Sequence, residues 1–362
     1  MTLPRIEIDL GKVEHNARTL VARLAQSGIN VLGVTKSVLG SPDIASALLY
    51  SGVCGLGDSR IDNIERMRSA SIQAEMMLIR TPMLSQVDRV VKHADVSFNT
   101  ELEVIAALSS AAQTLNVMHG IVLMVELGDL REGVMPEDLL KTVEAVLGLP
   151  NIKFRGIGTN LACHSGVSPG AANMAALSGL ADSIDLKFGP ITDIISGGNS
   201  ANIDWALSGA DTGRINHLRL GEAILFGRET LHRQEISGLH QDAITLIAEV
   251  IEAKTKPSLP WGDIAQNAFG EMNQVLDNGE SARVILAIGR QDTDPEGMRP
   301  PEGFRILGAS SDHLVLDAVD RRVSVGDEIP FQINYSAFLR AMTSPFVGSR
   351  HIASCGEFVD LA

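Results

Sequence analysis

The chain has 362 residues, which is enough for a large barrel together with a smaller second domain. Its net charge of −14 and pI near 5.1 argue against nucleic acid or anionic membranes as partners and favour a cationic or zwitterionic substrate. No apolar run approaches the roughly 20 residues that span a bilayer, and the first residues lack the features of a signal peptide. The three cysteines have no C-x-x-C spacing and the nine histidines form no metal signature. These features predict a cytoplasmic enzyme without a metal or disulfide framework.

In chain order, the alternating segment Arg5–Asp9 predicts a strand, and an amphipathic helix is expected over residues 11–27. Eight strand patterns then alternate with helical patterns over about 200 residues, which is typical of a (β/α)8 barrel. The predicted strands are Asn30–Thr35, Gly55–Gly57, Glu75–Ile79, Asp95–Phe98, Gly120–Glu126, Ile152–Gly158, Asp193–Ile195 and Ile215–Leu218. A doubly wound open sheet is the competing fold, although no G-x-G-x-x-G follows the first of these strands.

The pattern changes after about Glu235, where short alternating segments are separated by turn-rich ones. The predicted strands here are Ala243–Ile251, Ala282–Ile288, Phe304–Leu307, Leu314–Asp317 and Glu328–Ile333. We therefore expect an α/β chain with an N-terminal (β/α)8 TIM-type barrel over residues 8–234. A C-terminal all-β domain is expected over residues 235–362, joined by residues 1–7.

Lys36 follows the first predicted barrel strand, at the end where barrels of this class keep their chemistry. Partial desolvation there would lower the pKa of its amine and favour Schiff-base formation. The alternative is a lysine that simply extends from a strand end into solvent.

Two glycine-containing turns follow the seventh and eighth predicted strands, Ser196–Ser200 and Arg219–Glu222. Their backbone amides and the Ser200 hydroxyl suit a phosphate, and phosphate sites recur at these places in barrels. Either turn alone is weak evidence, because most glycine-rich turns bind nothing. Together with Lys36 they match the needs of a pyridoxal 5′-phosphate (PLP) enzyme, which are a lysine, phosphate ligands and a group facing the pyridine nitrogen. A barrel that does not use PLP would need Lys36, Ser200 and Arg219 to coincide by chance.

Over nearly its whole length the chain resembles the alanine racemase family of fold-type III PLP enzymes, and within it the ornithine racemase branch. The matching blocks are Val34–Lys36, Glu126–Gly133, Ser196–Ser200, Leu218–Glu222, Phe226–Thr230, Ala287–Asp294 and Leu307–His313. The resemblance implies a PLP-binding barrel and a homodimer in which each β domain caps the active site of the partner subunit.

The resemblance also implies roles for individual residues. Lys36 would hold PLP as an internal aldimine, and Arg219 would face the pyridine nitrogen, which an arginine does not protonate. The remaining cofactor-binding residues would be Asn199, Ser200, Gly221, Glu222 and Tyr335. A barrel-end salt bridge is the alternative for Arg219, and a core tyrosine with a satisfied hydroxyl is the alternative for Tyr335.

Arg131 matches the arginine that lies near the cofactor phenolic oxygen and the substrate carboxylate in alanine racemases. The alternative is an exposed loop arginine paired with Asp129 or Glu132. Two positions depart from the alanine pattern: Met124 replaces a carbamylated lysine, and Asn160 replaces a ring-stacking histidine. These departures place alanine in doubt as the main substrate.

The catalytic tyrosine of alanine racemases is missing, since its motif falls on Gly289–Asp292. Racemisation requires acid–base groups on both faces of Cα, and Lys36 would be one of them. His313 is our first choice for the other, because imidazole titrates near neutral pH, and Cys163 is the second choice. The alternatives are a structural histidine at a strand end and a buried inert cysteine.

We therefore predict a racemase of a free amino acid, ornithine or another basic one. Asp292 and Asp312 are the candidate receivers of a substrate ammonium, although aspartates in such turns often only cap them. The other possibilities are an alanine or broad-specificity racemase, a fold-type III decarboxylase or aldolase, and a PLP-binding protein without turnover.

Overall fold

The computed structural model describes residues 4–270, 272, 277–319 and 321–352. The chain divides into a unit of Leu10–Gln241 and a second unit made of the residues up to Asp9 and those from Asp242 onward. The first unit extends past the predicted end at residue 234 because Asn16 fixes the following segment. Its amide donates to the carbonyl oxygens of Ile224 and His240 at 2.9 and 2.8 Å and accepts from the His240 amide at 2.7 Å. Residues 353–362 of the predicted second domain lie outside the described residues.

The first unit is a closed barrel of eight parallel strands, and each predicted barrel strand is present within a few residues. After β1 (Arg5–Asp9), the barrel strands are β2 (Asn30–Val34), β3 (Gly55–Asp58), β4 (Met76–Leu78), β5 (Val96–Asn99), β6 (His119–Met124), β7 (Ile152–Gly158), β8 (Ile194–Gly198) and β9 (His217–Leu220). β2 pairs with β9, with Leu32 opposite Arg219, so the sheet closes on itself. This closure excludes the doubly wound open sheet.

Helices surround the barrel and connect its strands, as the alternating pattern predicted. They are α1 (Leu10–Ala25), α2 (Pro42–Tyr50), α3 (Ile61–Ser69), α4 (Val87–His93), α5 (Leu102–Leu115), α6 (Leu139–Leu147), α7 (Ala171–Phe188), α8 (Ile203–Leu207) and α9 (Glu222–Phe226). The barrel interior is filled by apolar side chains, including Leu32, Phe98 and Met124. None of the helices in the described part of the chain is long and apolar enough to cross a membrane.

The second unit is a mostly antiparallel sheet that includes the N-terminal strand. Its strands are β10 (Ile244–Pro257), β11 (Glu280–Leu286), β12 (Met298–Arg299), β13 (Phe304–Ala309), β14 (Leu314–Ala318), β15 (Glu328–Ile333) and β16 (Gly348–Ile352). β1 pairs antiparallel with β10 and parallel with β16. The unit is not purely β, because Asn334 caps a nine-residue helix, α10 (Tyr335–Thr343), that buries Phe338.

Candidate active site

The ends of three adjacent barrel strands bring the predicted cofactor residues together. β9 lies between β8 and β2, so the residues that follow these strands meet at one edge of the barrel. The Ser200 hydroxyl, after β8, accepts a 3.1 Å hydrogen bond from the Ala223 amide, after β9. Lys36 follows β2, and its charge acts on the Glu222 carboxyl after β9. Lys36, Ser200, Gly221 and Glu222 therefore lie at the same edge of the barrel.

Lys36 is the first residue of a short 3-10 turn, one position beyond Thr35. Its side chain is exposed, which differs from the partial desolvation predicted from the sequence. The turn begins immediately after the barrel strand and carries the amine out of the buried strand end. Glu222 lies close by, and burial raises the pKa of its carboxyl while the charges of Arg233 and Lys36 oppose that rise.

The turn after β8 is held by the Asn199 side chain. Its Oδ1 atom accepts from the Ala201 amide at 2.7 Å, and its Nδ2 atom donates to the Leu161 carbonyl at 2.9 Å. Gly198 has φ +147°, and a Cβ atom there would lie 2.2 Å from the Asn202 Oδ1 atom, so the turn requires glycine. Asn199 thus shapes the turn that presents Ser200, with both ends of its amide engaged by the protein.

Arg219 is buried at the end of β9, with only 5% of its surface exposed. Its guanidinium donates to Ser196 Oγ, to the Thr159 carbonyl at 2.8 Å and to Asn160 Oδ1 at 3.2 Å. Among the described residues it forms no ion pair, so the salt-bridge alternative is not what the structure contains. Burial lowers the pKa of Arg219 to about 10, which still leaves it protonated at neutral pH.

Arg131 pairs with Glu132 through two of its guanidinium nitrogens, Nε and Nη2. This ion pair agrees with the alternative of a surface pair between Arg131 and Glu132. Asp129, the other partner considered, is engaged elsewhere. The Asp129 side chain is buried and accepts from the amides of Cys163, His164 and Ser165 at 2.9–3.2 Å. The loop that carries Arg131 is thereby tied to the loop after β7.

The Cys163 thiol is exposed, so the interpretation as a buried inert cysteine is wrong. Its Sγ atom lies 3.4 Å from the Asn199 amide nitrogen, and the Arg131 side chain contacts it as well. Cys163 and Arg131 therefore lie together at the mouth of the barrel, which keeps Cys163 a candidate acid–base group.

In the second unit the structure corrects the role expected of Asp292. This residue is 4% exposed, and its carboxylate accepts from the Gly289 amide at 3.2 Å and from the Ser344 hydroxyl at 3.0 Å. A buried carboxylate engaged at both oxygens caps a turn and is not available to a substrate ammonium. The structure therefore favours the turn-capping alternative for Asp292.

Asp312 and His313 differ from Asp292 because both side chains are accessible. The Asp312 carboxylate lies 2.8 Å from His313 Nδ1, and this hydrogen bond holds the pKa of the Asp312 carboxyl below its ordinary value. Tyr335 is half-buried at the first position of α10. The predicted roles of His313, Asp312 and Tyr335 toward a partner's barrel remain predictions.

The sequence interpretation missed two polar groups around the site. One is Asp58, which is fully buried at the end of β3. His217 is also buried, and it contacts Ser196 Oγ at 2.8 Å, while burial lowers its pKa to about 3. Asp58 could have been found by the argument that identified Lys36, because a polar residue that ends a barrel strand faces the same edge.

These features define a class of protein: a (β/α)8 barrel with a lysine after its first strand and glycine-containing turns after its last two. Residues 8–229 match the family model described as alanine racemase, N-terminal domain, and the chain belongs to that family. It is 40% identical to ornithine racemase of Acetoanaerobium sticklandii, over 95% of this chain and 98% of that protein. It is 39% identical to lysine racemase of Thermotoga maritima, over 96% and 98% of the two chains.

A solved alanine racemase from Streptomyces lavendulae shares the fold at a TM-score of 0.78. The two are 19% identical, and the match covers 97% of each chain. Both units of the present chain therefore have counterparts in one known architecture, that of a barrel with an antiparallel sheet domain.

Enzymes of this family use PLP, and the residues present fit that cofactor. The Ser200 hydroxyl and the backbone amides at the start of α9 are hydrogen-bond donors that suit a phosphate group. Arg219 supplies a buried cation bound only to neutral oxygens, which suits a heteroaromatic nitrogen. Lys36 supplies an accessible amine for covalent attachment of the aldehyde carbon.

Proposed function

We propose that this protein is a PLP-dependent racemase that interconverts the L- and D-isomers of a free basic amino acid, ornithine or lysine. The observation that carries the proposal is the convergence of Lys36, Ser200 and Arg219 on adjacent strand ends. The 40% and 39% identity to an ornithine racemase and a lysine racemase supports the choice of a basic substrate.

The bound cofactor supplies an electron sink that acidifies the Cα–H bond of an attached amino acid. The protein supplies the other parts of the reaction. Lys36 would hold the cofactor, and its free amine would move a proton on one face of the substrate Cα. Arg219 would bind the pyridine nitrogen and, because it stays protonated at neutral pH, would not transfer its proton to that nitrogen. Arg131 orients the substrate carboxylate through its guanidinium.

The second acid–base group is assigned to His313 in the C-terminal unit of the other subunit, with Cys163 as the runner-up. His313 is accessible, and its Nδ1 atom lies 2.8 Å from the Asp312 carboxylate, which would orient the imidazole. Cys163 is accessible beside Arg131. Asp312 is now the favoured receiver of the substrate side-chain ammonium, since Asp292 is buried and engaged.

The proposed assembly is a homodimer in the cytoplasm. The amino-acid composition, with three cysteines and no C-x-x-C spacing, supports a cytoplasmic location. Large apolar side chains exposed in the second unit support association with another copy. Five lie within one segment: Leu259, Trp261, Ile264, Phe269 and Met272.

The proposal is tested by incubating the PLP-loaded protein with single L-amino acids and measuring the D-isomers by chiral chromatography. We expect a higher kcat/KM for ornithine or lysine than for alanine. Lys36→Ala should lose both racemisation and the visible absorbance of lysine-bound PLP, because no other amine is expected to anchor the cofactor. Lys187→Ala, which removes an exposed lysine paired with Glu144, is the control and should behave as the unmodified protein.

Each result bears on a different part of the proposal. Equal or better turnover of alanine would leave a racemase but remove the basic substrate. Release of carbon dioxide or of an aldehyde without D-isomer would identify a decarboxylase or aldolase. Covalently bound PLP that persists in Lys36→Ala would move the anchor to another lysine.

A further inference from the structure

Asp58 is a buried carboxylate that has no assigned role in the proposed reaction. It is fully buried at the carboxyl end of β3. Its Oδ1 atom accepts from the Arg60 amide at 2.9 Å and from the Asn63 side-chain amide at 3.0 Å. Its Oδ2 atom accepts from the Thr35 hydroxyl at 2.7 Å. A carboxylate buried this completely requires such donors, since an unpaired one would cost several kcal/mol.

The Thr35 hydroxyl connects Asp58 to the strand end that carries Lys36. Thr35 is the residue before Lys36, and its own backbone amide donates to the Gly57 carbonyl at 2.9 Å. Asp58 follows Gly57 directly, and Val34 is paired with Gly57 in the β2–β3 register. The backbone and side-chain bonds together fix the point from which Lys36 leaves the barrel.

Asp58 and Lys36 also interact through their charges. The positive charge of Lys36 is among the groups that lower the pKa of the Asp58 carboxyl, against the larger effect of burial, which raises it. The charge of Lys36 also lowers the pKa of the Glu222 carboxyl, which is itself paired with Arg233. The lysine amine therefore interacts electrostatically with one carboxylate on β3 and one at the start of α9.

We propose that Asp58 is a positioning residue for Lys36, which fixes the turn that carries the lysine and sets a negative charge beside its amine. The inference rests on the proposed role of Lys36 as the cofactor anchor. Because Asp58 is buried beneath the turn, it acts through Thr35 and through space and touches neither cofactor nor substrate. The protonated linkage between Lys36 and the cofactor carries a positive charge, and a fixed carboxylate nearby stabilises that form.

The test compares Asp58→Asn, which keeps the shape of the side chain and removes its charge, with the unmodified PLP-loaded protein. The visible absorbance of lysine-bound PLP is followed as a function of pH without substrate. We expect its transition to move to lower pH by about one unit, as is typical when a neighbouring opposite charge is lost. We also expect kcat to fall about tenfold with little change in KM, because the substitution removes no contact with substrate.

Two further variants separate this effect from a general loss of structure. Asp62→Asn removes a carboxylate four residues further along, which is 63% exposed and pairs with Arg89, and it should leave the transition unchanged. Thr35→Val removes the hydroxyl that holds Asp58 and should shift the transition in the same direction by a smaller amount. Thr35→Ser keeps a hydroxyl at this position, so its absorbance transition should occur at the same pH as in the unmodified protein. If Asp58→Asn does not fold, the comparison of Thr35→Val with Thr35→Ser tests the inference.

An unchanged transition pH in a folded Asp58→Asn protein would overturn the inference while Lys36 remained the anchor. Covalently bound PLP in Lys36→Ala would instead overturn the proposed function, on which this inference depends. The two failures are therefore distinguished by different variants.

Discussion

Arg131, which we propose binds the substrate carboxylate, forms an ion pair with Glu132. The two side chains are 38% and 28% exposed, and they meet through two guanidinium nitrogens. This bidentate pairing holds the guanidinium plane and raises the pKa of Arg131 above its ordinary value. Glu132 thus supplies an anionic partner for Arg131 from within the loop itself.

Replacing Glu132 by glutamine should therefore loosen Arg131. A partly exposed bidentate pair contributes about 1 kcal/mol, and we expect KM for the amino acid to rise about fivefold while kcat changes less. Steady-state kinetics with ornithine and lysine give both values. Glu137→Gln, at a neighbouring exposed carboxylate, is the matched control. A lower KM would show that Glu132 competes with the substrate for Arg131 and would contradict this interpretation.

The position of a single residue could be predicted where it follows a strand with a clear sequence pattern. Lys36, Ser200 and Arg219 follow strands whose apolar pattern is clear, and the structure places them at adjacent strand ends. Asp292 could not be interpreted in this way. It is buried, and one of its hydrogen bonds comes from Ser344, 52 residues further along the chain, so no local pattern reveals this environment.

At the scale of elements, two carboxylates organise the loops after β6 and β7. Glu126 accepts from the amides of Gly128 and Leu130 at 2.6 and 3.0 Å and so folds its own loop. Asp129 accepts from amides of the loop after β7, and its carbonyl accepts from the Ser165 hydroxyl at 2.7 Å. The relative position of Arg131 and Cys163 depends on these bonds.

Asp129→Asn should release the Cys163 loop, because an amide cannot accept as many hydrogen bonds as a carboxylate. We expect a loss of about 2 kcal/mol in the free energy of unfolding and faster reaction of the Cys163 thiol with a disulfide reagent. Chemical denaturation and thiol-labelling rates measure the two effects. Asp138→Asn, at an exposed position, should change neither.

The same carboxylate predicts a dependence on pH. Burial raises the pKa of Asp129, but the backbone hydrogen bonds outweigh it, and the net pKa is lowered. Its stabilising contribution is therefore complete above the unfolded-state pKa of about 3.9 and is lost as pH falls through the lower folded-state pKa. The free energy of unfolding of the unmodified protein should therefore fall over that acidic range, whereas that of Asp129→Asn should lack this contribution throughout. An equal pH dependence of the two proteins in chemical denaturation would argue against this role.

The elements themselves were predictable to different degrees. Parallel barrel strands are buried on both faces and produce continuous apolar runs, so all eight could be placed from the sequence. α10 could not, because it is a short helix among alternating segments, and the Asn334 cap was its only local signal.

At the scale of the whole molecule, the proposed dimer predicts complementation between two inactive variants. Lys36 belongs to the barrel unit and His313 to the other unit, and the proposed site takes one from each subunit. A mixture of Lys36→Ala and His313→Ala subunits should then recover about a quarter of the activity, since half of the dimers contain one intact site. Replacing the first partner by the double variant should abolish the recovery. No recovery after verified subunit exchange would exclude a site shared in this way.

Barrel closure has a consequence for the order in which this protein matures. Lys36 follows the first barrel strand and the turn at Gly221 follows the last, and the two are brought together by the β2–β9 pairing. This contact joins distant parts of the chain, and contacts of this kind form late because loop closure must precede them. During synthesis, all eight barrel strands must therefore emerge from the ribosome before the cofactor can bind at Lys36. Acquisition of the yellow cofactor therefore reports on completed folding, and a chain truncated before β9 should remain colourless.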